Sequence, residues 1–242
     1  MFTLYRTQGI VLAKKDRGET DRLFSFYTKD FGRLELLAKS ERKIKSKLRA
    51  GLELFYLSEV EFFQGKRQKT ITDAILIDKF GNLRKDLEKL KVVYQISALA
   101  GKLLRGQEPE NRIWRLLNEV FQKLDSSRIK GQAVVFLHHY FLWNFLSFLG
   151  YRLDFYNCFL CHKRITPGEL FINPREGGLV CRNCKKKVLK AEPIDPDLVK
   201  IIRIFYKRDL PTLGRLKIKE SALKDLNSMS KNYLSGILEK TQ

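Results

Sequence analysis

Acidic residues are in short supply in this sequence. The 242-residue chain carries 47 Lys and Arg against 27 Asp and Glu, a formal charge of +20 at pH 7. Such a surplus keeps a protein soluble and draws polyanions, so nucleic acid is the first partner to expect and an anionic membrane surface the second. Several catalytic signatures are missing too. There is no G-x-x-x-x-G-K-[ST] loop, no H-E-x-x-H pair and no G-x-S-x-G elbow, which points away from P-loop nucleotide hydrolysis, zincin chemistry and serine hydrolysis. No enzyme activity is expected. Long apolar runs are also lacking. The start, Met1 to Arg6, has none of the apolar stretch of a secretory signal. The most apolar segment, Ala133 to Leu149, contains His138, His139, Asn144 and Ser147 and reads as a buried helix, not a membrane span. A cytoplasmic protein with no membrane partner is expected.

Cysteine is scarce, and its placement is informative. All four cysteines form one pattern: Cys158-x-x-Cys161, nineteen residues, then Cys181-x-x-Cys184. Two residues between paired cysteines let both thiolates of a tight knuckle face one point, and two knuckles supply the four tetrahedral sulfurs of a structural Zn²⁺. Pro167-Gly168 and Gly177-Gly178 mark turns in the connecting arm. One closed, structural zinc is therefore expected. Disulfides, redox chemistry and an iron–sulfur cluster are the competing readings. His162, directly after the first pair, is a possible substitute ligand, although a solvated histidine is the simpler reading.

Residues 1–80 read as five short strands: Thr7–Leu12, Leu23–Tyr27, Leu34–Leu37, a long bent strand from Leu52 to Phe63, and Thr70–Ile75. That count suggests a small closed barrel, SH3-like or OB-type, which periodicity alone does not separate. From Asn82 the period changes to helical. Leu83, Leu87, Leu90, Tyr94 and Ala98 mark one face, and Ile113, Leu116, Leu117, Val120 and Leu124 a second helix. A third helix, apolar nearly all round, runs to Leu149. After the cysteine module, Asp195-Pro196 opens another helix; Pro211 and Gly214 break the chain before a last one.

Lys39-Ser40-Glu41-Arg42-Lys43-Ile44-Lys45-Ser46-Lys47-Leu48-Arg49 holds six basic residues and one acid between two strands. Lys39, Arg42, Lys43, Lys45, Lys47 and Arg49 read as a phosphate-contacting edge, with a merely solvated loop as the alternative. A second basic group, Lys185, Lys186, Lys187 and Lys190, follows the last cysteine. Among the interleaved aromatics, strand alternation separates Tyr27 from Phe24 and Phe26, making Tyr27 the base-stacking candidate. Asp16, Glu19 and Asp21 crowd one turn, where a nuclease-like metal site competes with pairing to Arg17 and Arg22.

Taken in order, these segments resemble the bacterial RecO family of recombination mediators. The resemblance rests on Thr7–Leu12, Gly18-Glu19-Thr20-Asp21, Gly32-Arg33-Leu34, Ala38-Lys39, the basic loop, Leu149-Gly150-Tyr151 and Gly177-Gly178-Leu179-Val180-Cys181. Ser40 and His162 stand where that family commonly has glycine, and Leu54 where it has proline. The resemblance implies an α+β multidomain protein. A five-stranded OB-type β-barrel at 1–80 would precede an α-helical domain at 81–242, with an inserted four-cysteine zinc module at about 156–188. It further implies a non-enzymatic, nucleoid-associated DNA repair protein that binds single- and double-stranded DNA and anneals complementary strands. The implied partners are RecR, the acidic C-terminal tail of SSB and, indirectly, RecA. A zinc-ribbon nucleic-acid-binding regulator is the alternative.

Overall fold

A computed structural model describes residues 3–165, 170–173, 178–188, 191–215 and 219–240. The chain divides into two compact units, Met1–Val134 and Val135–Gln242.

In the first unit, alternating apolar residues form a closed five-stranded barrel. Its strands are β1 (Leu4–Arg17), β2 (Asp21–Thr28), β3 (Gly32–Ala38), β4 (Leu57–Gln64) and β5 (Lys69–Asp78), in the order β1-β2-β3-β5-β4. Val11 lies opposite Phe26, and Phe24 opposite Leu36, so one set of alternate side chains faces inward with Leu34, Val60, Phe62 and Ile71. The order settles the barrel as OB-type and agrees with five expected strands. The last seam is parallel and short, Leu36 with Lys69 and Leu37 with Thr70.

The expected strand from Leu52 to Phe63 begins only at Leu57. Phe55 has φ of 65°, a left-handed backbone that interrupts the pleat. Its N–H instead donates to Val11 O at 2.9 Å, and Val11 N–H donates to Tyr56 O at 3.0 Å, beside a bulge in β1. The Phe55 ring is thereby delivered edge-on to Tyr94 and Phe121, 4.8 and 6.3 Å between centroids.

Those two rings belong to α1 (Leu87–Leu103) and α2 (Asn111–Asp125), which complete the first unit. The Asp86 side chain caps α1 by accepting from the Glu88 and Lys89 amides. On α2 the expected face is the buried one. On α1 it is not: Leu87 and Tyr94 are 83% and 53% exposed, while Val92, Val93, Ile96, Leu99 and Ala100 are buried. Two apolar stripes share this helix, and the β-branched one won the core.

The second unit holds most of α3 (Gln132–Phe148), then β6 (Leu170–Asn173), β7 (Gly178–Cys181), β8 (Glu192–Ile194), α4 (Pro196–Lys207), α5 (Leu210–Arg215) and α6 (Glu220–Lys240). Asp195 caps α4, with Pro196 in its first turn as expected. The expected break at Pro211 and Gly214 is instead the short helix α5. Proline is tolerated in its first turn, where Asp209 accepts from Thr212 N and Oγ1. No described helix is long and apolar enough to cross a membrane.

One chain of buried polar side chains in this unit is satisfied internally. Trp143 Nε1 donates to Ser230 Oγ at 3.1 Å, the Ser230 hydroxyl meets His139 Nδ1 at 3.0 Å, and His139 Nε2 meets Asn227 Oδ1 at 2.7 Å. One proton assignment satisfies the chain: Ser230 donates to Nδ1, and Nε2–H donates to Asn227. His139 is therefore held neutral, and burial pushes it down to about 4; burial and the neighbouring His139 do the same to His138. Because these values lie below the ordinary 6.5, the unfolded chain takes up the protons first. The stability is complete above about pH 6.5 and is lost as pH falls toward about 4, by up to about 1.4 kcal/mol per pH unit for each proton. Urea unfolding across that interval should show this slope. His139→Gln should flatten it, and an unchanged slope in that variant would exclude His139 as its source.

Candidate metal centre and nucleic-acid interface

Backbone hydrogen bonds shape the first cysteine knuckle. His162 N–H donates to Cys158 O at 2.8 Å, and Cys158 N–H to Lys163 O at 2.9 Å. Asp154 holds the approach by accepting from the Tyr156 and Asn157 amides at 2.6 and 3.1 Å. The second knuckle grows out of β7, which pairs with β6 and ends in Cys181, followed by a 3-10 helix, Arg182–Lys187, that carries Cys184. Phe159 N–H donates to Leu179 O at 2.9 Å and joins the two knuckles. The crossing requires glycine at 178, where a Cβ would lie 2.6 Å from that of Phe159. Of the turn residues expected in the arm, Pro167, Gly168 and Gly177 lie outside the described residues.

The four sulfurs fall within 4.8 Å of one another, and all four cysteines are free thiols. Cys161 and Cys181 sulfurs are 3.8 Å apart, the separation that a tetrahedral ion with metal–sulfur bonds of about 2.3 Å imposes. Burial raises the Cys158 thiol, but the amides of Cys161, Cys181 and Leu160 outweigh it and lower the group overall. Cys184 is raised by its hydrogen bond with Cys181, by burial and by the other sulfurs. Such opposed shifts arise when several thiols compete for protons at one point, and a cation there removes the conflict. Among the described residues no other cluster of His, Cys, Asp or Glu can gather on an ion. His162 is outside this one: it is exposed, with φ of 57°, the left-handed turn that glycine adopts more easily.

The cationic loop on the barrel is anchored at its base. Arg22 Nε donates to Asp16 Oδ1 at 2.8 Å, and its Nη1 lies 3.0 Å from Glu41 Oε2. Glu41 is 2% exposed, and this oxygen has no hydrogen-bond partner; charge, without a directional bond, compensates its burial. Arg42 N–H donates to Thr20 O at 3.0 Å, and its guanidinium reaches Gly18 O and Asp16 Oδ2 at 3.3 and 3.6 Å. Asp21 Oδ1 accepts from Ser40 N–H at 2.8 Å. Asp16 and Asp21 thus act on the loop itself. The hydrogen bond from Arg22 lowers Asp16 from its ordinary value, with Coulombic help from Arg22 and Arg42.

Arg42 is therefore an anchor as well as a surface cation. Lys39, Lys43, Lys45, Lys47 and Arg49 are exposed, and among the described residues none forms an ion pair. The second basic group divides: Lys185 Nζ sits 4.2 Å over the Phe171 ring, Lys186 and Lys187 are exposed, and Lys190 lies outside the described residues.

Tyr27 is not available for stacking. Its ring is 1% exposed and its hydroxyl donates to Glu110 O at 3.2 Å. Alternation correctly separates it from Phe24 and Phe26, but the chain leading into α2 covers the outer face as well. Gly32 approaches that chain so closely that a Cβ would lie 2.4 Å from Glu108 O. Sequence reasoning expected Arg22 to pair within the Asp16–Asp21 turn, as it does with Asp16; its second, buried partner Glu41 was missed, and a lone acid inside a run of cations was the available signal.

The pair makes a testable stability claim. Arg22→Ala strands Glu41 as a buried, uncompensated charge and should cost about 3 kcal/mol. Arg22→Ala/Glu41→Ala should recover part of that loss in chemical denaturation. If the double variant is no more stable than the single one, the pairing contributes nothing.

Comparison with known proteins covers both units. A family model described as the recombination protein O N terminal matches residues 1–80, and one described as its C terminal matches residues 84–242. The DNA repair protein RecO of Dehalococcoides mccartyi is 31% identical over 236 residues, spanning 98% of this chain and 91% of its own. Proteins of the same name from a Thermoanaerobacter species and from Acetivibrio thermocellus are 29% and 27% identical, over 98% and 97% of this chain and 93% and 92% of theirs.

Proposed function

The chain belongs to the recombination protein O family and is a DNA repair protein, and from that premise we propose that it is a non-enzymatic recombination mediator. It binds single- and double-stranded DNA, anneals complementary strands and, with RecR, helps load RecA onto strands coated by SSB, whose acidic tail it engages. The proposed division is a DNA-binding domain at 1–80 and a helical domain at 81–242, with a zinc module at about 156–188, in a cytoplasmic, nucleoid-associated protein.

The observation that carries this reading is the anchored loop, whose five other cations form no ion pair among the described residues. Annealing involves no covalent chemistry. Two polyanions repel, and a surface that neutralises phosphates lowers that repulsion while releasing condensed counterions. Contacts confined to the backbone leave base edges free to test pairing and carry little sequence information. Tyr27 has no part in this reading; the proposed contacts are Lys39, Lys43, Lys45, Lys47 and Arg49, with Arg42 anchoring them.

Annealing of complementary oligonucleotides, and single-strand affinity across a salt series, test the proposal. Lys43→Ala/Lys45→Ala/Lys47→Ala removes three contacts. It should weaken binding, slow annealing and flatten the log–log salt slope by about 2, at about 0.7 per contact. Wild-type affinity and slope in this variant would make the loop a solvated surface only.

For the metal, the four sulfurs fit Zn²⁺ in number, donor type and spacing. Cys158, Cys161, Cys181 and Cys184 would hold one ion, which supplies a cross-link between the knuckles and leaves no open position for catalysis. Elemental analysis of protein purified under reducing conditions should find one zinc per chain. Cys181→Ser should lose the metal and thermal stability while keeping DNA binding; wild-type protein without stoichiometric zinc would refute the assignment.

A further inference from the structure

Ile44 is 90% exposed, the most exposed large apolar side chain among the described residues. It stands between Lys43 and Lys45, and its position is fixed. Ser46 N–H donates to Lys43 O at 3.0 Å, closing a four-residue turn with Ile44 and Lys45 at its corners. The turn before it is closed by Lys43 N–H to Ser40 O at 3.2 Å, and Arg42 N–H ties both to Thr20 O at 3.0 Å. On the far side Leu48 packs partly buried against the barrel core. The loop can therefore bury an aliphatic side chain against the barrel, and at Ile44 it presents one to solvent instead.

We propose that Ile44 is a wedge that enters between neighbouring bases of a single strand whose phosphates are held by Lys43, Lys45 and Lys47, and that it biases the protein toward single over double strands. The inference rests on the DNA-binding reading above and deepens it. A cationic turn with an apolar corner matches a polyanion that carries apolar faces beside its charges, which is what a strand of unpaired bases offers. The closed turn presents the side chain with its backbone already ordered, so little conformational freedom is lost on insertion. Adjacent bases of a flexible single strand part easily. In a duplex the same insertion breaks a stacked, paired step at a cost of a few kcal/mol. The cations favour both forms, so the discrimination lies with Ile44.

The full-length protein and Ile44→Ala should be compared by fluorescence anisotropy on three probes: a single-stranded oligonucleotide, its duplex, and inorganic polyphosphate of matched charge. Loss of half-to-full burial of this side chain should weaken single-strand binding about five- to tenfold. Duplex and polyphosphate binding should change little, and the salt slope should not, because no cation is removed. Ile44→Trp adds a direct readout, since Trp114 and Trp143 are 8% and 1% exposed. The added indole fluorescence should be quenched by the oligonucleotide and not by polyphosphate.

Unchanged single-strand affinity in Ile44→Ala would overturn the wedge while leaving the DNA-binding reading intact. Wild-type protein that fails to bind the oligonucleotide would sink that reading, and the wedge with it. Equal losses on oligonucleotide and polyphosphate would assign the effect to loop geometry and overturn the inference. So would a loss on anionic phosphatidylserine vesicles without one on DNA, which would give the tip to a lipid surface.

Discussion

The parallel seam between β3 and β5 imposes the geometry on which the cationic loop depends. With β5 lying between β3 and β4, the chain that leaves β3 must cross β5 before β4 can pair. The crossing is marked by Gly51, where a Cβ would meet Ala74 O at 2.3 Å. Beyond it Ser58 Oγ donates to Gly51 O at 2.6 Å, and Leu52 enters the core. The cationic stretch is the part of this crossover that precedes the contact with β5. It is pinned at one end by Arg22, Asp16 and Asp21 and at the other by Leu48 and Gly51. Two fixed ends give like charges a defined position that their mutual repulsion would otherwise oppose.

The two units use different means to hold polar and charged groups. The barrel neutralises its one buried loop acid with an arginine from the adjoining strand. The second unit pairs neutral groups, Trp143, Ser230, His139 and Asn227, and gathers four thiols whose proton affinities are pulled apart. Both arrangements leave cations at the surface, and in the first unit five of them that form no ion pair among the described residues lie between Lys39 and Arg49.

Much of this was legible where a short-range rule decides the outcome. Cysteine spacing fixes how two thiols can converge, so Cys158, Cys161, Cys181 and Cys184 were identifiable without a fold. Alternation put Phe24 and Phe26 on one face of a barrel strand, and both lie in the barrel core. The failures share a cause. Periodicity states which residues share a face, not what covers it. Tyr27 lies opposite the core face as expected, yet the segment before α2 lies over it, and that packing joins positions 83 residues apart. On α1 the two stripes are both helical, and only packing chose between them. Phe55 adopts a backbone that its residue type disfavours, so no propensity rule places a turn there. Ser40 and His162 also have left-handed backbones, with φ of 54° and 57°, at the two positions where the family resemblance led one to expect glycine.

The crossover has a consequence for how the barrel assembles. Two local pieces, the β1-β2-β3 meander and the β4-β5 hairpin, are joined through residues 39–56 and must dock at two seams, β1 with β4 and β3 with β5. Sequence separation across those seams makes docking the slow event, since the linker must be closed before either seam rewards it. That linker carries six basic residues against two acids, so its self-repulsion falls on the closing step and not on the formation of either piece. Screening of that charge lowers the repulsion that the closing step must overcome, so the loop proposed to contact DNA in the finished protein also bears on the rate at which the barrel closes.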